Sequence, residues 1–286
     1  MRRVGYLTDR ALATAILLAL RLPRPLLLEG EAGVGKTEVA RVLSLILDTV
    51  LIRLQCYEGI DVHQALYEWN HARQILHIRL AEAAHQSDLS QMEQAIFSEP
   101  FLIQRPLLAA LNHDGQQPAV LLIDEIDRAD DEFEAFLLEF LADFAVTIPE
   151  LGTIMAERPP VVLITSNRTR DLHDALKRRC LYHWIDHPTF ERELDIVRAR
   201  VPGVSEQVAR QVTGTVQTLR RMDLYKRPGV AETLDWAEAL LALGVQNLDE
   251  MTAKATLGAV LKYHEDQVRV EPRLGEVIQS MESDGA

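Results

Sequence analysis

The residues Gly30-Glu31-Ala32-Gly33-Val34-Gly35-Lys36-Thr37 fit the phosphate-loop pattern G-x-x-x-x-G-K-[ST]. The spacing has a chemical reason. Glycines let the backbone curl until successive N–H groups point at phosphate oxygens, and the helix that follows presents its positive N-terminus to the same anion. Lys36 is expected to reach the β- and γ-phosphates of a nucleoside triphosphate, and the Thr37 hydroxyl to hold Mg²⁺. The ligands this loop predicts are ATP and Mg²⁺.

A second group of residues supplies what such a loop needs for hydrolysis. The apolar run Val120-Leu121-Leu122-Ile123 ends in Asp124-Glu125. Asp124 can bind Mg²⁺ through its water shell and accept a hydrogen bond from Thr37, while Glu125 can orient and deprotonate the attacking water. Another apolar run ends in Thr165-Ser166-Asn167, where the Asn167 amide can help hold the γ-phosphate and the water. Asparagine also ends strands for ordinary turn reasons. Lys177, Arg178 and Arg179 have two readings. They are a cationic helix end that complements the helix dipole, or they offer an arginine finger, Arg178 or Arg179, to a neighbouring subunit's γ-phosphate.

These residues need a scaffold that delivers them to strand ends. Apolar runs at Leu26 to Leu28, Leu51 to Leu54, Ala119 to Ile123, Val161 to Thr165 and Leu181 to Ile185 are spaced for βαβ crossovers. They predict an α/β fold, a parallel five-stranded sheet with helices on both faces and ligands at the carboxyl ends of the strands. Val39, Val42, Leu43 and Ile46 mark one apolar face of a helix starting near Lys36. From about Pro188 the pattern is helical only, broken at Pro202-Gly203, Pro228-Gly229 and Gly244. The expected domains are a nucleotide-binding module over 1–188 and a small all-helical lid over 189–286. Two segments exceed a minimal sheet: a helical insertion at about 62–98, carrying Leu66, Trp69, Ile75, Leu76 and Leu80, and a hairpin at about 144–160 turning at Pro149 to Gly152.

Composition narrows the function classes. The chain has 286 residues, 48% of them hydrophobic, enough for packed cores without disulfides. Thirty Lys plus Arg against 43 Asp plus Glu leave a formal charge of −13, which argues against a surface that tracks nucleic-acid phosphates. Cys56 and Cys180 lie far apart and suit reduced core thiols in a cytoplasmic protein. The apolar stretch Ala11 to Leu20 is too short for a membrane span and lacks a cleavage site, so it reads as a helix. His63, His71, His77 and His85 never fall at the i, i+3 or i, i+4 spacing that pairs ligands on a helix, and read as ordinary polar-face residues.

In the order of these parts the chain resembles the AAA+ ATPases, and within them the MoxR family. Gly30 to Thr37 correspond to Walker A, Leu121 to Glu125 to Walker B, Asn167 to sensor 1, and Arg178 or Arg179 to the finger. Arg53-Leu-Gln-Cys-Tyr-Glu-Gly-Ile-Asp, Ala65-Leu-Tyr-Glu-Trp-Asn and Glu232-Thr-Leu-Asp-Trp are similar to the ATPases associated with maturation of carbon monoxide dehydrogenase and other molybdenum hydroxylases. The resemblance implies a homo-oligomer, a hexameric ring, that acts with a von Willebrand factor type A protein on a client metalloenzyme. It departs from the MoxR pattern at sensor 2: Ala231 or Glu232 stands where an arginine is expected, with Lys226 and Arg227 just upstream.

Other classes fit less well. A DNA-directed AAA+ motor or clamp loader should line its pore with Lys and Arg, which the insertion and hairpin barely supply. A non-hydrolysing switch has no use for Glu125. A small-molecule kinase normally takes its lid arginines from the same subunit.

Overall fold

In the computed structural model, residues 6–83 and 89–283 are described. Five strands build one sheet: β1 (Leu26–Glu29), β2 (Leu51–Gln55), β3 (Val120–Asp124), β4 (Val161–Ser166) and β5 (Leu181–Trp184). Their spatial order is β2-β3-β4-β1-β5, and every pairing is parallel. Each strand starts and stops within one residue of its predicted limits. The inner strands β1, β3 and β4 are buried along their whole length, which is why they read as unbroken apolar runs. β2 lies at an edge and is only partly covered, so it tolerates Arg53 and Gln55. Its register with β3, from Leu51 opposite Val120 to Gln55 opposite Asp124, brings those polar side chains level with the acidic end of β3.

By contacts the described chain divides into two compact units, one of Arg10–Glu29 and Ala40–Trp184, the other of residues 6–9, 30–39 and 185–283. The first unit holds the sheet. Its core includes Leu27, Leu121, Ile123, Phe133, Phe140 and Ile164. After β3 a 3-10 turn, Ile126–Arg128, leads to the helix Asp131–Asp143, whose N-cap Asp130 accepts a hydrogen bond from the Phe133 N–H at 2.9 Å. The strands Ala145–Ile148 and Gly152–Met155 pair antiparallel as a hairpin. Residues 62–98 contain the helices Val62–Ala65, His71–Ala83 and Leu89–Ile96, together with a strand, Tyr67–Trp69, that pairs with Leu102–Gln104. Helical periodicity gave no sign of that strand.

The second unit is built on helices Phe190–Arg200, Glu206–Arg221, Val230–Ala242, Glu250–Val260, His264–Val270 and Leu274–Ser283. They close on a core containing Leu194, Val212, Val216, Trp236, Leu240 and Leu257. Trp236 is fully buried and its indole N–H donates to Thr256 Oγ1 at 2.8 Å, so the ring fills the core without an unpaired donor.

The helix after the phosphate loop runs from Lys36 to Leu47. Val39, Val42 and Leu43 are buried as expected, but Ile46 is 44% exposed. It belongs to the last turn of the helix, where the apolar face of the pattern continues past its packing partners.

Candidate active site

The phosphate loop, Gly30 to Thr37, is shaped by close backbone approaches. A Cβ at Gly30 would lie 2.3 Å from the carbonyl oxygen of Ile185, so no side chain fits there. Gly33 adopts φ +80°, and a Cβ on it would sit 3.1 Å from Gly229 Cα. Its carbonyl accepts hydrogen bonds from the N–H groups of Val230 and Ala231, at 3.0 and 3.3 Å, in the first turn of helix Val230–Ala242. Lys36 is buried, and its ammonium donates to the carbonyls of Gly30 and Glu31 at 2.8 and 2.7 Å. A buried cation held against curled backbone is a donor set that suits phosphate. Thr37 and Glu31 are exposed, Ala32 is exposed and Val34 is buried.

Glu31 carries contacts that the pattern did not foresee. His187 Nε2 lies 3.1 Å from its Oε2, and Arg227 Nη1 lies 3.9 Å from its Oε1. Arg227 therefore reaches the loop, whereas Glu232 turns back to accept the Gly229 N–H at 2.9 Å as an N-terminal cap of its own helix.

The acidic end of β3 is a tightly wired cluster. Asp124 is 2% exposed. Its Oδ1 accepts the Thr165 hydroxyl at 2.5 Å, and its Oδ2 accepts Arg53 Nε at 3.0 Å and Nη2 at 2.5 Å. Glu125 takes the left-handed conformation, φ 56° and ψ 50°, which a non-glycine residue rarely adopts and which turns the chain sharply after Asp124. Its N–H is anchored on Thr165 Oγ1 at 2.9 Å. Its carboxylate accepts Gln55 Nε2 at 3.1 Å and Asn167 Nδ2 at 3.4 Å. Adjacent acids thus receive different settings, one enclosed and in close contact with Arg53, the other part-exposed between two amides with Arg128 Nε at 4.0 Å from its Oε2. An enclosed carboxylate suits a cationic partner, of which Arg53 is the one in place, and a part-exposed carboxylate suits a base with water access.

Asp127 is buried and positions the Asn167 loop: it accepts the N–H groups of Asn167 and Thr169 at 3.2 and 2.8 Å and the Thr169 hydroxyl at 2.7 Å. The structure thus brings Asp124, Glu125 and Asn167 into one network. Sequence reading missed Arg53, Gln55, Asp127 and Thr165 as members. The signal for the first two was present, since polar residues at i and i+2 of an apolar strand share one face.

Arg178 and Arg179 stand apart from this network, at the end of helix Asp174–Arg179. The Arg179 guanidinium donates to the Leu138 carbonyl at 2.5 Å, and Arg24 braces the chain by donating to the carbonyls of Arg178 and Arg179 at 2.7 and 3.1 Å. The Arg178 side chain is exposed and its guanidinium has no partner among the described residues.

Among the described residues no group of three or more His, Cys, Asp or Glu is arranged to hold a metal by itself. His63 and His77 pack edge-on against Tyr67 and Phe101, and His71 Nδ1 lies 3.0 Å from Gln74 Oε1. His85 lies outside the described residues. Burial pushes both thiols, Cys56 and Cys180, up to about 12, with the acids Asp124, Asp127 and Glu125 adding to the effect at Cys56.

Residues 25–180 match the model of the AAA domain, dynein-related subfamily. The chain belongs to this family. It is an AAA+ ATPase, a class whose members bind nucleotide with Mg²⁺ and typically assemble as rings. A search of curated proteins gives no match. Among solved structures it is similar to two substituted forms of RuvB from Thermotoga maritima, each 17% identical, with TM-scores of 0.50 and 0.51 over 86% of this chain. The chain spans about two thirds of the RuvB length, 67% and 66%. It is also similar, with a TM-score of 0.46 and 14% identity, to a Cytophaga hutchinsonii protein assigned provisionally as an ATPase, over 97% of this chain and 90% of that one. At these identities the likeness concerns the fold. Among the described residues no helix is long and apolar enough to cross a membrane.

Proposed function

We propose that this ATPase is a protein remodeller of the MoxR type, which uses ATP hydrolysis to assist maturation or activation of a metalloenzyme such as a molybdenum hydroxylase. The observation that carries the hydrolytic part is the unlike setting of Asp124 and Glu125, a buried acid bonded to Arg53 beside a part-exposed one that accepts the amides of Gln55 and Asn167, with Arg128 at the longer distance of 4.0 Å. In this reading the backbone of Gly30 to Thr37 and the Lys36 ammonium grip the phosphates, and Thr37 with Asp124 holds Mg²⁺. The bound metal supplies neutralisation of phosphate charge. Glu125 takes the proton of the attacking water, Asn167 orients that water, and Arg178 acts as the finger on a neighbouring subunit's nucleotide. The module spans 1–188 and the lid 189–286, in a cytoplasmic hexameric ring with a von Willebrand factor type A partner.

Support for a protein client, over the DNA substrate of the alternative AAA+ motor reading, is the charge of −13. RuvB is described as a Holliday junction branch migration motor, but its likeness to this chain is of fold alone. The test separates binding from chemistry. Lys36→Ala is expected to abolish tight ATP binding, whereas Glu125→Gln should bind and retain ATP while turnover falls by roughly 10²–10⁴-fold. Equal loss of ATP binding in both variants refutes the assignment. Salt-dependent binding of duplex or junction DNA in the low micromolar range would favour the motor instead.

A further inference from the structure

We infer that Arg53 is a positioning residue for the metal site, a resident counter-charge that competes with Mg²⁺ for Asp124. The inference rests on the reading of Asp124 as the metal-holding acid. Two nitrogens of one guanidinium, Nε at 3.0 Å and Nη2 at 2.5 Å, converge on the single oxygen Oδ2, while Oδ1 is committed to the Thr165 hydroxyl. Arg53 is aimed there by Gln55, whose Oε1 accepts Nη2 at 2.5 Å. A dication brought to the same carboxylate, directly or through its water shell, meets the guanidinium charge at close range and is repelled by it.

The exposures decide which group yields. The Asp124 side chain is 3% exposed and fixed by its strand, whereas that of Arg53 is 52% exposed on an edge strand. The guanidinium has solvent to withdraw into and a long flexible stem, while the acid has neither. When the metal is absent, Arg53 offsets the negative charge of Asp124, which would otherwise oppose an anionic ligand. When it is present, Arg53 weakens its hold. One residue therefore pushes the two affinities in opposite directions, and this separates the role from simple support of the fold.

The experiment uses the full chain with a non-hydrolysable ATP analogue as probe, its binding measured by calorimetry in excess chelator and across a Mg²⁺ titration. Arg53→Gln is expected to lower the Mg²⁺ concentration for half-maximal coupling by about tenfold, the factor that one lost charge-assisted contact of about 1.4 kcal/mol represents. The same variant should bind the analogue more weakly in chelator. Arg53→Lys, which retains the charge with a less directional contact, should show both shifts in smaller measure and serves if Arg53→Gln does not fold. Parallel weakening of both affinities, or no change in either for the variant that folds, overturns the role of Arg53. Asp124→Asn provides the separate check. If it keeps the wild-type Mg²⁺ dependence, the metal assignment itself fails and the inference falls with it; if it loses that dependence while the Arg53 variants do not respond, only the inference fails.

Discussion

Glu193 and Arg220 form a buried ion pair in the helical unit, and replacing one partner is the sharpest test of what holds that unit together. Their side chains are 0% and 7% exposed. Arg220 Nη1 and Nη2 reach Glu193 Oε2 and Oε1, both at 2.6 Å, and the same carboxylate accepts Thr233 Oγ1 at 2.6 Å and Gln217 Nε2 at 2.7 Å. The acid thus joins helices Phe190–Arg200, Glu206–Arg221 and Val230–Ala242. Glu193→Ala leaves a guanidinium without its counter-charge in the interior, which costs about 3–5 kcal/mol. The midpoint of thermal unfolding should fall by roughly 10 °C or more. Glu193→Leu combined with Arg220→Met should recover most of that loss, because it removes both charges and keeps the apolar volume. The effect should extend to function. Arg220 Nε also holds the Pro228 carbonyl at 2.7 Å, one residue before the Gly229 backbone that abuts Gly33 of the phosphate loop. Glu193→Ala should therefore weaken nucleotide binding as well as stability. Denaturant unfolding of both single variants and the double variant, with nucleotide binding measured in parallel, checks the chain of reasoning. A loss below about 1 kcal/mol for Glu193→Ala, or a double variant as unstable as the sum of the singles, refutes it.

Three further outcomes are expected. Arg178→Ala and Lys36→Ala proteins should each be inactive alone and regain partial turnover when mixed, since mixed rings contain some intact sites; absence of recovery removes Arg178 as the finger. Replacing residues 72–90, which include the undescribed 84–88, with a short Gly-Ser bridge should spare ATP binding and uncouple hydrolysis from client activation. Ile75, Leu76 and Leu80 are about 60% exposed (59%, 59% and 61%) while Gln74 and Ala81 are buried, so unfolding of this variant would assign the segment to packing, and a soluble variant whose client matures at the wild-type rate would deny the arm a recognition role. With both thiols pushed up to about 12, Cys56 and Cys180 should resist alkylation at pH 8.5 in the native protein and react on unfolding. Fast native labelling would show that one of them is accessible as thiolate.

The sequence by itself determined the pieces whose physics is local. Gly30 to Thr37 form a loop and helix start because glycine spacing and a following amphipathic run permit little else. The three inner strands were legible because a strand buried on both faces must be a continuous apolar run, and Asp124, Glu125 and Asn167 were found as polar residues ending such runs. Tertiary structure decided whatever depends on register and on distant partners. Arg53 reads as an anomaly in an apolar strand until the pairing of Gln55 with Asp124 places it beside the acid. The short strand Tyr67–Trp69 has no periodicity of its own and exists because Leu102–Gln104 pairs with it. Ile46 follows the helical pattern and still meets solvent, and Arg179 spends its guanidinium on the Leu138 carbonyl while Arg178, its neighbour of the same chemistry, does not. A periodic pattern states which face of an element is apolar, but only the packed neighbours decide how far along that face burial extends, and which of two like charges is left to act on something else.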